Sequence, residues 1–353
     1  MRRLTLLALA LALAPLAAQT PRLVLDLPPA ADARIVGLTV GLEQLSSLYQ
    51  QRLDGAGVAA VALLNGAECA LPTQVNLLPG GNEAMVTIAV PAGASDPSLR
   101  LLGAPVTTAA IEPLQVTQEG NKVTVAGLSY QVLHDAAKMG GLPSRFELRP
   151  SGKVWDTFLV NDRLYDKVTK RAFYLRNDAQ PRVEVLAAGP LRAVVRVRAR
   201  YLDGQGQAPA SQPQASYTFT YLAGSPLVTV EAELSQATPF AWSELHFLEL
   251  HYADQSFTHW LGGDPLTEAA LTAEKKTHTK PWAALREGDS VVGLVGPSSA
   301  RIYDGRGEYG TYLHGPWDTW SQTSARYAKS IYLSGAAAAA TDLPRAAAAW
   351  RPL

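Results

Sequence analysis

Residues 239–260, PFAWSELHFLELHYADQSFTHW, hold three of the chain's six histidines, two of its seven tryptophans and two glutamates. Read as one strand of period two, the stretch sends Trp242, Glu244 and His246 to one face and Glu249 and His251 to the other. An aromatic, an acid and an imidazole in successive positions of one face suit a sugar. The aromatic stacks on a pyranose ring, and the acid and imidazole supply hydrogen bonds or proton transfer. A structural strand with paired or solvated polar side chains accounts for the same residues. Because Glu244 and Glu249 are an odd number of residues apart, a regular strand separates them, and hydrolysis by that pair is disfavoured.

Other strands add candidates. LRAVVRVRARY at 191–201 puts Arg196, Arg198 and Arg200 on one face, a ladder of forks that fit carboxylates. The simpler account pairs this ladder with Glu231 and Glu233 of the strand at 227–234. ASYTFTYL at 215–222 places Tyr217, Phe219 and Tyr221 together, as core or with a phenol available for proton transfer. The run at 306–329 is dense in polar and aromatic groups, including Glu308, Tyr309, Tyr312, His314, Trp317, Trp320 and Arg326. It reads as a loop that either lines a saccharide subsite or plugs one end of a sandwich. His134 reads as structural and His278 as solvated. The sequence has no HExxH, CxxC or Asp-rich calcium loop, so no metal site is assigned, and a calcium requirement is left open.

These positions sit in a chain of 353 residues, enough for about two domains. Lys plus Arg equals Asp plus Glu at 31 each, which gives no basic surface for nucleic acid. Arg2 and Arg3, the apolar run at 4–14, and Pro15 before Leu16-Ala17-Ala18 form a secretory leader, with cleavage expected after Ala18. The run is shorter than the ~20 residues of a membrane span, and a secreted or periplasmic location follows, with no transmembrane segment after cleavage. The single cysteine, Cys69, is expected to be a small buried apolar residue.

Residues 20–106 read as short strands and turns of a small β-barrel or sandwich, with Leu42, Leu45, Leu48 and Tyr49 at helical spacing and a linker at 91–105. From 111 to 335 strand follows strand, several of eight residues or more, which predicts one large antiparallel sandwich. The alanine-rich end at 336–353, interrupted by Pro344, is too short in each run to hold a helix alone and is expected to be a loose tail.

The segment VEVLAAGPLRAVVRVRARYLDGQG at 183–206, followed by SYTFTYLAGSPLVTVEAEL at 216–234, resembles the supersandwich of the galactose-mutarotase-like group. Within it, the chain is similar to the exo-rhamnogalacturonan-lyase-like family of secreted bacterial proteins, which also begin with a small β-barrel. The likeness covers residues 57–250, rests on turns and strands, and carries over no catalytic residue. Such proteins continue well beyond the sandwich, whereas this sequence stops soon after it.

The resulting expectation is an all-β, exported, carbohydrate-active protein whose partner is a polysaccharide or oligosaccharide. As an enzyme it would be a polysaccharide lyase cleaving a uronate polymer by β-elimination. His246 would then be the base, Tyr217 or Tyr312 the acid, and Arg196, Arg198 or Arg326 the carboxylate clamp. The alternatives are a non-catalytic saccharide-binding or envelope protein of the same fold and, third, an epimerase acting on a free sugar.

Overall fold

A computed structural model describes residues 23–25, 33–41, 43, 58–64, 66–78, 80–101, 112–253, 256–305 and 310–350. The leader, the Leu42–Tyr49 repeat, Glu308 and Tyr309 lie outside these residues. The chain divides into two compact units, one within residues 1–108 and one holding 109–353.

In the N-terminal region, Leu23–Val24, Ser95–Leu101, Val58–Leu64 and Ala67–Leu71 form one sheet in that order. Arg34–Gly41, Glu83–Val90 and Thr73–Leu77 form another. The stretch read as a linker therefore contains a strand, Ser95–Leu101, hydrogen-bonded along Val58–Leu64. Cys69 is half-buried rather than buried.

The second unit is a large antiparallel sandwich, as the strand density implied. Its longest sheet has nine strands in the order Arg182–Ala187, Arg192–Arg200, Gln214–Leu222, Leu227–Ser235, Ser324–Ser334, Ser290–Val295, Ala283–Glu287, His259–Gly262 and Thr267–Ala270. Alternation decides its faces. Val195, Val197, Tyr217, Phe219, Val230 and Ile331 are buried in one core cluster, while Arg196, Arg198, Glu231 and Glu233 point the other way.

Two smaller sheets contribute to the same core. One runs Arg171–Tyr174, Arg163–Asp166, Trp242–His246, Trp317–Trp320; the other runs Leu159–Val160, Glu249–Tyr252, Gly310–His314, Ala300–Gly305, Lys276–Lys280. Three chain segments pass from one of these sheets to the other, and each breaks on the way: at Asn161-Asp162, at Phe247-Leu248 and at Gly315-Pro316. The breaks are mutually bonded. Phe247 N–H donates to Pro316 O at 3.2 Å, Gly315 N–H to Leu248 O at 3.4 Å, and Leu248 N–H to an Asp162 oxygen at 2.9 Å. They form a crease between the two sheets. Phe247, inside the crease, packs on Tyr217 and Tyr327 of the long sheet, with ring centroids 5.8 and 5.3 Å away.

The alanine-rich end is not a loose tail. Ala339–Ala349 is helical despite Pro344, because Leu343 is fully buried among Leu261, Trp282, Val291 and Tyr332. Burial of one leucine contributes roughly 2 kcal/mol, which local propensity could not supply.

Candidate functional site

The crease places two rows of outward-facing side chains against each other. In cross-strand register, one row reads Tyr174, Arg163, His246, Trp317; the other reads Glu249, His314, Arg301. A third row behind the second is His251, Tyr312, Tyr303, with the His251 and Tyr312 rings stacked at 4.3 Å.

The break at Leu248 decides the chemistry. A regular strand would put Glu249 on the face opposite His246, as the sequence reading held. Instead Leu248 takes φ +51°, the alternation resets, and Glu249 lies on the His246 side. Glu249 Oε2 accepts a hydrogen bond from His246 Nδ1, and Glu249 Oε1 accepts one from Asn161 Nδ2 at 2.9 Å. Arg176 in turn donates to Asn161 Oδ1 and lies over the Tyr174 ring at 4.3 Å. On the other side of the imidazole, Nε2 is 3.3 Å from Glu244 Oε2. Arg163 donates to that same oxygen at 3.1 Å and lies 3.4 Å from Nε2. Lys167 reaches Glu244 Oε1 at 3.5 Å from solvent.

The electrostatics fix the tautomer. Burial raises the Glu249 carboxyl pKa, but the His246 hydrogen bond, the His246 and His314 charges and the Asn161 hydrogen bond outweigh it, and the net shift is downward. Glu249 is therefore an acceptor only, and the Nδ1 of His246 carries a proton. The other ring nitrogen, Nε2, is set between Glu244 and the Arg163 guanidinium. Burial works against the charge of Arg163, but Glu249, Tyr174 and Glu244 hold its pKa above the ordinary arginine value. His314, 6.2 Å from His246 with rings near parallel, is driven down to about 4, chiefly by burial. Glu249 pulls the other way, while His246 and Arg301 add to the lowering. A hydrogen bond with the Gly315 backbone adds to the opposing pull, and His314 is neutral near pH 7. Trp317 covers the edge, 4.9 Å from the His246 ring, with Arg301 over it at 5.6 Å; it is 44% exposed. Among the described residues, no group of three or more His, Cys, Asp or Glu side chains is arranged to hold a metal ion.

Of the residues singled out from sequence, His246, Glu244, His314, Trp317 and Tyr312 come together at the crease. Tyr312 is half-buried, its phenol raised by burial and then by the Glu249 charge. The others lie elsewhere. Trp242 was expected on the His246 face, but a bulge between Trp242 and Leu245 turns it into the core, against Phe173 and with its indole N–H on Gln236. Trp320 alternates with Trp317 and is buried, because the supposed loop is a strand, Trp317–Trp320. Tyr217 is fully buried, donates to Asp162, and has its pKa raised far up by burial and by the Asp162 charge, so it is no acid for a substrate. Arg196, Arg198 and Arg326 lie on the outer face of the nine-stranded sheet. There Arg198 meets Glu184 at 3.5 Å and Arg326 meets Glu233 at 2.7 Å around a groove of 390 Å³. Both contacts lie away from the crease, and the arginine ladder does not pair with Glu231 and Glu233 as expected, because Gln214–Leu222 lies between the two strands. His278 is not simply solvated, since it stacks on Trp260 at 4.3 Å.

Sequence reasoning missed Asn161, Asp162, Arg163, Arg176 and Arg301, and it set Glu249 aside. The polar triplet Asn161-Asp162-Arg163, directly after the apolar strand candidate at 154–160, was the available signal.

No protein-family model matches the sequence, and no curated protein matches it. Solved structures do. An α-mannosidase from Enterococcus faecalis V583 aligns with a TM-score of 0.56 at 9% identity, covering 89% of this chain and 43% of that one. A glycosyl hydrolase family 38 protein from Enterococcus faecalis gives 0.57 at 10%, covering 89% and 44%. The likeness is one of fold. The chain spans less than half the length of either protein. A galactose mutarotase-like protein from Clostridium acetobutylicum aligns at a TM-score of 0.38 and 10% identity, over 63% of this chain and 98% of that one.

Proposed function

We propose that the crease is a saccharide site and that His246 is its proton-transfer group. The observation that carries this reading is the hydrogen bond from His246 Nδ1 to Glu249. It fixes the ring and leaves Nε2 toward Glu244 and Arg163, next to the exposed face of Trp317. An aromatic platform, guanidinium groups and an oriented imidazole within one small area suit a sugar that carries a carboxylate. Two structural neighbours bear the names of an α-mannosidase and a glycosyl hydrolase, which agrees with a carbohydrate partner.

The reaction this set of groups suits is β-elimination of a uronate polymer. Arg163 and Arg301 would neutralise the substrate carboxylate in place of the outer-face arginines. His246 Nε2 would take the C5 proton, the C4–O bond would break as the C4–C5 double bond forms, and Tyr312 would protonate the leaving oxygen. Binding without turnover is the second reading. It is favoured by the crowding of Nε2, which already meets Glu244 and Arg163. Export is part of the proposal as well, on the strength of the leader; cell fractionation with N-terminal sequencing of the exported chain tests it.

Incubation with pectic and other uronate polymers, following the ultraviolet absorbance of unsaturated products, separates the two readings. Product that disappears in His246→Ala supports the lyase. Retardation on polysaccharide affinity gels with no product from any polymer leaves the binding protein. Neither retardation nor product with any polymer overturns the saccharide reading.

A further inference from the structure

Leu248 is held at φ +51°, a backbone region that a leucine rarely adopts and that persists only when its surroundings impose it. The imposing group is Asp162, 1% exposed and remote in sequence. Its Oδ1 accepts the Glu249 N–H at 2.9 Å, and its Oδ2 accepts the Leu248 N–H at 2.9 Å together with the Tyr217 hydroxyl. Both oxygens of this carboxylate thus hold the two successive amides of the break, one each, with Tyr217 clamping Oδ2 from the long sheet. The residues on either side complete the arrangement. Asn161 binds the Glu249 side chain, and its own N–H donates to the Glu249 carbonyl at 2.8 Å; Arg163 binds Glu244.

We propose that Asp162, clamped by Tyr217, is the positioning residue of the His246–Glu249 pair. It keeps the strand broken at Leu248, and only the broken strand brings Glu249 to the His246 side. Asp162 touches no substrate in this scheme. The inference rests on the proposed function only in giving the pair a part in proton transfer; the positioning itself stands apart from any substrate.

The test reads the imidazole directly. In the ¹⁵N-histidine-labelled full chain, the His246 ring should be protonated at Nδ1, with a slowly exchanging far-downfield proton that disappears in Glu249→Gln. Asp162→Asn offers one acceptor oxygen where two amides need one each. In a variant folded by circular dichroism, that proton should exchange at least about tenfold faster and the Nδ1 tautomer should no longer dominate. Wild-type protection in folded Asp162→Asn overturns the proposal. If Asp162→Asn does not fold, Tyr217→Phe leaves the carboxylate but removes its clamp; severalfold faster exchange supports the proposal and unchanged exchange overturns it. Where the wild type turns over a uronate polymer, Asp162→Asn should lower kcat with KM nearly unchanged. Lost protection with no polymer ever bound or cleaved upholds the positioning role and sinks the saccharide reading instead.

Discussion

Glu249 accepts a hydrogen bond from His246 across three residues of chain that a regular strand would have placed on opposite faces of a sheet. The pair exists because the strand is broken at Leu248, and the break joins two sheets at a crease where two other segments break beside it. In the proposed function, the carboxylate behind the histidine orients it for proton transfer with a substrate at the exposed edge.

Replacing Glu249 with Gln should therefore separate binding from chemistry. The amide keeps the shape but not the charge, and His246 loses the partner that fixes Nδ1–H. Turnover of a uronate polymer should fall by about 10²- to 10⁴-fold, the range for a general acid–base group. Retention on affinity gels should change little, since Trp317 and Arg301 are untouched. Equal loss of binding and turnover would assign Glu249 to substrate contact instead.

Much of the fold was legible because burial imposes period two on long strands. The strand expected at 290–295 is Ser290–Val295, and that expected at 227–234 is Leu227–Ser235, one residue longer. The site was less so. Leucine gives no sign of a left-handed backbone, and the carboxylate that enforces it lies 86 residues earlier. Trp242 left the surface through a bulge, which alternation alone cannot announce. His246, Trp317 and His314 were found because their types are rare and their chemistry is specific. Arg163 and Arg301 were missed because an isolated arginine at a strand end is common.

Trp317→Ala should weaken saccharide retention without unfolding the protein. The ring is 44% exposed and carries Arg301 over one face at 5.6 Å. Loss of an aromatic platform corresponds to about 1 kcal/mol, roughly fivefold in affinity, while an exposed substitution changes stability by about 0.5 kcal/mol or less. Retention equal to wild type would remove Trp317 from the site.

Two buried histidines should make the fold acid-sensitive well above the carboxylate range. His134 has its Nδ1 at 3.1 Å from the Gly141 carbonyl and its Nε2 at 2.6 Å from the Tyr221 hydroxyl. The carbonyl requires the proton on Nδ1, and Nε2 accepts from the phenol. Burial lowers His134 to about 4, against a small opposing effect of Gly141, and His314 likewise falls to about 4 by burial. Both therefore sit below the unfolded value near 6.5. The unfolded chain takes up these protons first as pH falls, so stability is complete above pH 6.5 and declines towards pH 4. Asp162 acts in the opposite sense. Burial raises it to about 6, although Tyr217 and two backbone amides pull it down and Glu249 adds to the rise. Its contribution therefore grows as pH falls through 6. Two histidines against one aspartate leave a net loss on the order of 3 kcal/mol between pH 7 and 4. Thermal melts across this range check it, and His134→Gln should flatten the slope. A Tm independent of pH from 7 to 5 would refute the assignment.

Lys329 should cost the protein stability at neutral pH. Its side chain is completely buried in the second unit, its ammonium donates to the Ser298 carbonyl, and it has no carboxylate partner among the described residues. A buried charge without a counter-charge is expensive, and burial lowers this amine to about 8 against an unfolded value near 10.5. Below pH 8 both states hold the proton and the folded one bears the full cost. From 8 to 10.5 the unfolded chain holds it and the folded one does not, so stability rises with pH. Methionine fills a similar volume without the charge and is shorter at its tip. Lys329→Met should therefore raise stability at pH 7 by about 1–4 kcal/mol, the range seen when buried ions give way to packed apolar groups. The advantage should shrink steadily from pH 8 to 10. Denaturant titrations at pH 7 and 9.5 measure both effects. A variant less stable than wild type at pH 7 would mean that the ammonium has a favourable partner that outweighs its desolvation.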